Sequence, residues 1–247
     1  LPSPPIAYYP LGTSAWNGNY LAENNAIGDY VFDFIPNDYI DCGTGLGDSL
    51  GTYTGDLTLS YWFNTDSLTA NKGLFYLGSF SNAQGQFQVN IYNNNMLFRV
   101  DSGNQSKTLS ISSLSTGTWY HIAFVYKAGD ISGSKVYLNG VEQSTSASGT
   151  FPSSLSFSGL KTIIGGYYGT GYTFDGKLSN VQIFNTELSS TEVETLYNYG
   201  SPIRTLANIP QNSNLKAWYK LDASEVYNST TTEWSIDNNQ NPSAYPS

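Results

Sequence analysis

Charge is scarce in this chain. Only 12% of its 247 residues are Asp, Glu, Lys or Arg, about half the share of an ordinary globular domain, roughly 25%. Solubility must therefore rest on uncharged polar groups. Basic residues are the scarcest charges, 10 Lys and Arg against 19 Asp and Glu for a net −9. With no basic cluster to neutralise phosphates, the composition excludes a nucleic-acid partner. A single cysteine, Cys42, rules out an internal disulfide and is read as a small buried residue rather than a nucleophile. The single histidine, His121, lies in the middle of a strand-like run, and without a second histidine no His-based metal cluster or Ser-His-Asp triad can be assembled around it. No apolar run reaches the eighteen or so residues of a membrane span, so membrane insertion is not expected. The opening "LPSPP" has no Met, basic stretch or apolar stretch; it reads as a Pro-rich leader on a processed product or an excerpt of something longer.

What is plentiful is aromatic: 20 Tyr, 12 Phe and 5 Trp make 15% of the chain, a usage that favours strands and aromatic-lined surfaces. Short alternating runs separated by Gly, Asn, Ser and Asp repeat at about ten-residue spacing, the cadence of an antiparallel sandwich or barrel. In "DLTLSYWFNT", Leu57, Leu59, Tyr61 and Phe63 fall on one face. In "TWYHIAFVYKAG" both faces are apolar, which predicts a central strand covered on both sides. Asn139-Gly140 marks a type I′ hairpin. One segment, "SSTEVETLYNYG", reads as helix, with a Ser189/Glu192 capping box, Val193, Leu196 and Tyr197 on one face, and Gly200 as the stop.

The succession "LTLSYWFNT", "TGTWYHIAFVY", "KVYLNG", "TIIGG" and "FDGKLSNVQIFNTELSSTEVETLY" resembles the laminin-G-like branch of the concanavalin A-like lectin/glucanase superfamily. Its openings "AYYPL" and "YVFDFIPNDYIDCG" fit the same pattern. The resemblance implies an all-β fold, a two-sheet antiparallel jelly roll with one short C-terminal helix. It also implies calcium as the one cofactor to consider, with Asp33, Asp38, Asp41 and Asp175 as candidate ligands and Asn180 where relatives often have Asp. Residues from "AWYKLDASEVYN" onward look like segments of marine bacteriophage structural and fibre proteins.

A glucanase would need two carboxylates on one strand face, and no strand carries such a set; Asp33, Asp38 and Asp41 are irregularly spaced, and Glu192 and Glu194 lie in the helical segment. The better lead is sugar binding, in which Tyr and Trp stack on apolar sugar faces while amides and backbone groups bond the hydroxyls. Two loops offer this: Trp16, Asn17 and Tyr20 in "AWNGNY", and Tyr167, Tyr168, Tyr172 and Asp175 in "GGYYGTGYTFDG". The sequence thus predicts a non-enzymatic, lectin-like module on a virion surface, a fibre or decoration protein, or in another extracellular setting. Its expected partners are other copies of itself, other virion proteins and cell-surface glycans. Two alternatives are a secreted carbohydrate-binding module attached to an enzyme and a divergent glucanase.

Finally, the chain restates its opening. Aligned at Ala7 and Ala217, "AYYPLGTS" and "AWYKLDAS" share four of eight residues. This predicts a leader over 1–5, a jelly-roll domain over 6–200, a linker over 201–214, and in 215–247 the start of a second similar module or an assembly arm. Trp218, Tyr219 and Leu221 are then the expected assembly contact.

Overall fold

The computed structural model describes residues 21–23, 30–79, 84–101, 105–167, 172–221, 226–228, 233–235 and 238. Trp16, Asn17, Tyr20 and Tyr168 lie outside the described residues.

Alternating side chains sort the strands into two antiparallel sheets. The first has eight strands in the order Leu21–Glu23, Tyr30–Phe34, Gly176–Phe184, Leu57–Thr65, Trp119–Tyr126, Lys135–Leu138 and Val141–Glu142, with Leu215–Tyr219 also paired to Gly176–Phe184. The second has seven, in the order Ser146–Ser148, Gln105–Ser110, Asn95–Val100, Gln84–Tyr92, Lys72–Ser79, Lys161–Ile164 and Ile40–Asp41. Leu57, Leu59, Tyr61 and Phe63 meet Phe87, Val89, Ile91, Met96 and Phe98 in the main core between them. This is the two-sheet jelly roll that the family resemblance implies, and it narrows the sandwich or barrel that the cadence of short strands predicts.

Both apolar faces of Trp119–Tyr126 are used. Ile122, Phe124 and Tyr126 enter the main core, while Ala123 and Val125 pack with Val193 and Leu196 of the helix Ser190–Tyr197. The predicted capping box holds that helix: Ser189 Oγ accepts from the Glu192 N–H, and a Glu192 carboxylate oxygen accepts from the Ser189 N–H at 2.8 Å. Its end differs from expectation. Asn198 (φ 44°), not Gly200, takes the left-handed cap position, since Asn tolerates that conformation through its short side chain. Asn139 (φ 50°) and Gly140 (φ 79°) make the predicted hairpin turn.

His121 is buried beneath the helix, with its ring 5.3 Å from Trp62 and 6.1 Å from Tyr197, and with Nε2 2.8 Å from Ser60 Oγ. Burial pushes its pKa down to about 3, so it is a neutral core residue. Cys42 is half-buried against the main core.

The reading of residues 201–221 needs correction. The expected linker packs down, with Ile203 and Ile209 in the cluster beneath the helix. Leu215–Tyr219 is a strand of the first sheet, in register with Gly176–Phe184 of the same chain. Trp218, Tyr219 and Leu221, expected to contact another subunit, are 1%, 3% and 0% exposed, and so present no assembly surface. Trp218 joins the cluster beneath the helix and donates from Nε1 to Asn180 Oδ1 at 3.0 Å. Tyr219 and Leu221 enter the main core. Apolar strand edges are costly in water, and the nearest available partner strand lies in the chain itself.

Candidate functional site

Cross-strand neighbours in an antiparallel sheet share a face. The register therefore draws a line of side chains over the whole second sheet, on the face away from the core: Asp41, Ile163, Tyr76, Gln88, Arg99, Ser106 and Ser148. A parallel row runs Gly73, Asn90, Leu97, Thr108 and Ser146. The sequence sets this pattern directly, because Gln88, Asn90 and Arg99 alternate with the core residues Phe87, Val89 and Phe98.

Gly73 lets a loop settle on this face. A Cβ there would lie 2.5 Å from the Gly166 carbonyl carbon and 2.6 Å from the Tyr167 nitrogen, so only glycine admits so close a backbone approach. The loop delivers Tyr167, whose hydroxyl accepts from Asn71 Nδ2 at 2.9 Å; Asn71 Oδ1 in turn accepts from Asn90 Nδ2 at 3.1 Å. Tyr167 stacks on Tyr172 at 4.9 Å and lies 6.3 Å from Tyr76. The three rings form a series from the buried Tyr76 through the half-buried Tyr167 to Tyr172, which is 37% exposed. Burial of the Tyr167 hydroxyl raises its pKa, keeping it neutral as a donor and acceptor.

Beside these rings lie polar atoms without a hydrogen-bond partner among the described residues: Gln88 Oε1, Asn90 Oδ1 and Arg99 Nε. Gln88 and Asn90 are only 3% and 1% exposed. Leaving such a group unpaired costs about 1–3 kcal/mol, and native folds retain few of them. Two amide acceptors and a guanidinium donor beside a tyrosine stack match the needs of a polyhydroxylated ligand. The two rows contain one carboxylate, Asp41 at the sheet edge, ion-paired to Lys161 at 2.6 Å.

Of the loop residues singled out in the sequence, Tyr167 and Tyr172 meet on this face. Asp175 does not join them: its carbonyl accepts from the Asp66 N–H, and it lies within electrostatic range of Asp33. Of the calcium candidates, Asp33 and Asp175 lie within electrostatic range of each other, while Asp41 and Asn180 have other partners. Asp33 pairs with Lys177 at 3.4 Å, and burial raises its pKa against the pull of that lysine. Asp38 is buried in an apolar setting that pushes its pKa up to about 6. Asp41 holds Lys161 and accepts from the Gly43 N–H. Asn180 is occupied with Trp218 and Ser179. Among the described residues no three His, Cys, Asp or Glu side chains converge to hold a metal ion, and the five candidates do not form a ligand set.

Asn71, Tyr76, Gln88, Asn90 and Arg99 were not singled out in the sequence. Their signal was the amide alternation of "GQFQVNIY", which periodicity alone reads as an ordinary solvent face. A concavity of about 490 Å³ beside the helix C-terminus is lined by Thr195, Asn198, Ser201, Pro202, Ile203, Arg204, Thr205 and Asn208. Without an aromatic ring it offers no stacking platform.

Three solved structures are similar to this chain. Domain 4 of AbnA, a GH43 extracellular arabinanase from Geobacillus stearothermophilus solved in complex with arabinotriose, is similar at 20% identity and TM-score 0.50, over 68% of this chain and 76% of that one. The heptameric SAP-like pentraxin from Limulus polyphemus is 21% identical with TM-score 0.45, over 60% of this chain and 71% of that one. The Ruminococcus gnavus IT-sialidase CBM40 is 21% identical with TM-score 0.45, over 58% and 83%. No curated protein matches the chain. Residues 37–194, well over half of the chain, match the Laminin_G_3 family, and the protein therefore belongs to the concanavalin A-like lectin/glucanase superfamily.

Proposed function

We propose that this protein is a non-enzymatic glycan-binding module whose site is the outer face of the second sheet. The observation that carries the reading is the juxtaposition of the Tyr76, Tyr167 and Tyr172 rings with the unpartnered polar atoms of Gln88, Asn90 and Arg99. A sugar ring stacks on the exposed Tyr172 while its hydroxyls accept from the guanidinium of the half-buried Arg99, with Gln88 and Asn90 forming the polar floor beneath. Binding fits the face better than hydrolysis does, because its central positions carry amides where a retaining glycosidase needs two carboxylates about 5 Å apart. We further propose an extracellular setting beside a catalytic partner, by analogy with the similar domain of an extracellular arabinanase. We also propose a virion surface as a setting for the module, on the reading of the C-terminal segment's sequence alone.

The test is a glycan microarray followed by calorimetry on the best ligand. Wild-type protein is expected to bind. Tyr172→Ala is expected to weaken binding at least about tenfold, the loss of one aromatic anchor costing ~1.4 kcal/mol or more. Gly73→Ala is expected to weaken it further by lifting the Gly166-Tyr167 backbone, with the far-UV circular dichroism spectrum unchanged. Wild-type affinity in both variants would place the site elsewhere. No binding to any glycan, by a protein shown to be folded, would overturn the reading itself.

A further inference from the structure

Ion pairs on this protein mostly stay in water. Among the described residues, the side chains of Lys127–Glu187, Lys135–Glu142 and Lys161–Asp41 keep 36–51% of their surface exposed. Lys177–Asp33 differs, with its two side chains only 19% and 13% exposed. Taking a pair out of water can cost more than the mutual attraction returns, unless further polar groups complete it.

The register shows which group stands beside this pair. Lys177 on Gly176–Phe184 lies opposite Asp33 of Tyr30–Phe34 on one side and opposite Asn64 of Leu57–Thr65 on the other. The three side chains therefore form one row. It lies on the outer face of the first sheet, because the alternating Phe32, Leu178 and Phe63 enter the main core. Asn64 is 6% exposed, yet its Oδ1 accepts no hydrogen bond among the described residues. Its other cross-strand neighbour is Trp119, which packs with Val31 and Trp62. A buried amide oxygen in apolar company, beside a lysine that bonds elsewhere, is a cost that packing does not explain.

The row has the reach and the chemistry for a covalent step. Cross-strand Cβ atoms lie about 5 Å apart, less than the length of a lysine stem, so Nζ can meet the Asn64 amide carbon as well as Asp33. At the amine, 3.4 Å from Nζ, is an Asp33 carboxylate oxygen. Burial pushes the Asp33 pKa up against the pull of Lys177, and the charges of Asp66 and Asp175 add to the rise. This carboxyl is thus disposed to take a proton, and a desolvated amine that has lost one is a nucleophile.

We propose that Lys177 and Asn64 join in an intramolecular isopeptide bond, with Asp33 as the proton carrier. Nζ gives a proton to Asp33, and its lone pair bonds to the Asn64 amide carbon. The bond from that carbon to Nδ2 then breaks; Asp33 protonates the departing nitrogen, takes the second proton that Nζ sheds, and ammonia leaves. A secondary amide, ammonia and a neutral Asp33 replace an ammonium, a primary amide and a carboxylate, with no oxidant or co-reactant. The step removes both buried charges and leaves Asp33 in the form that burial favours. It also staples two neighbouring strands in a chain whose single cysteine allows no internal disulfide. The inference is independent of the sugar site, which lies on the other sheet.

Mass spectrometry of the denatured full chain tests it. The wild type is expected to be lighter than its sequence by one ammonia, and proteolytic mapping with fragmentation to find one branched peptide joining the segments of Lys177 and Asn64. Lys177→Arg, which keeps a cation beside Asp33, is expected to show the full mass of its own sequence, as is Asp33→Asn. A wild-type chain of full sequence mass overturns the proposal. So does a deficit that persists in Lys177→Arg, which would mark ring closure at an Asn-Gly pair such as Asn139-Gly140 instead. A branched peptide formed in full yield by Asp33→Asn overturns the part given to Asp33. Because the wild-type mass reads the bond directly, a variant that fails to fold cannot imitate the expected result.

Discussion

Replacing Phe124 by alanine is expected to lower unfolding stability by about 3–5 kcal/mol, the cost of emptying a large aromatic site in a packed core. The ring is 1% exposed. It stacks on Phe87 at 5.3 Å, lies 5.0 Å from Phe98, and meets Phe151 edge-on at 6.1 Å. It is therefore the point at which the first sheet grips the two strands that carry Gln88 and Arg99 on their other side. For a domain of this size the loss corresponds to a fall in Tm of about 10 °C, since each kcal/mol moves Tm by about 2–4 °C. Thermal unfolding followed by circular dichroism measures it directly. Phe124→Leu, which leaves less empty volume, is expected to cost clearly less. A fall of only a degree or two in the alanine variant would mean that the sheets are not held together here.

Such core positions were legible because periodicity and burial have the same cause. Leu57, Leu59, Tyr61 and Phe63 alternate with smaller or polar residues, and a strand places alternate residues on opposite faces. The double apolar character of Trp119–Tyr126 likewise announced a second layer, supplied by the helix Ser190–Tyr197. Non-local pairing was not legible. Nothing in "LKAWYKL" says which strand it joins, and its likeness to the chain's opening argued for a new module. Its actual partner, Gly176–Phe184, lies some thirty residues upstream in the same chain. Pairing at that distance is selected by which edge stands free in three dimensions, a property local pattern does not contain.

The candidate site was legible by half for a related reason. Tyr167 and Tyr172 stood out because aromatic residues in a glycine-rich loop need an explanation. Gln88, Asn90 and Arg99 did not, because polar residues alternating with apolar ones look like any solvent-facing strand. Only the register, which aligns Tyr76, Gln88 and Arg99 in one row, and their burial beside the tyrosines separate them from ordinary surface. The acidic residues were misleading in the opposite sense. Asp33, Asp41 and Asp175 suggested shared ligation, yet Lys177 and Lys161 engage the first two.

The pH dependence of stability should show two buried groups working against each other. His121 has an ordinary pKa of 6.5 that burial pushes down to about 3. Between those values the unfolded chain binds the proton and the folded one does not, so stability is lost as pH falls through that window. At about 1.4 kcal/mol per pH unit, the loss approaches ~4 kcal/mol at the acid end. Asp38 runs the other way. Its folded pKa is raised from 3.8 to about 6, so the folded state holds the extra proton and stability is lost as pH rises across that interval, by about 3 kcal/mol. From pH 4 to 6 the two slopes offset each other, and single variants separate them. Relative to the wild type, Asp38→Asn is expected to gain about 3 kcal/mol between pH 4 and pH 7. His121→Gln, after a constant packing loss, is expected to recover stability relative to the wild type as pH falls from 6.5 towards 3. Urea unfolding at half-unit pH intervals reads both differences, and the titration of Asp33 cancels from each because it is common to variant and wild type. Parallel wild-type and His121→Gln profiles would mean that the imidazole titrates normally in the folded protein and is not sealed beneath the helix. A flat Asp38→Asn difference would mean that the carboxyl reaches water.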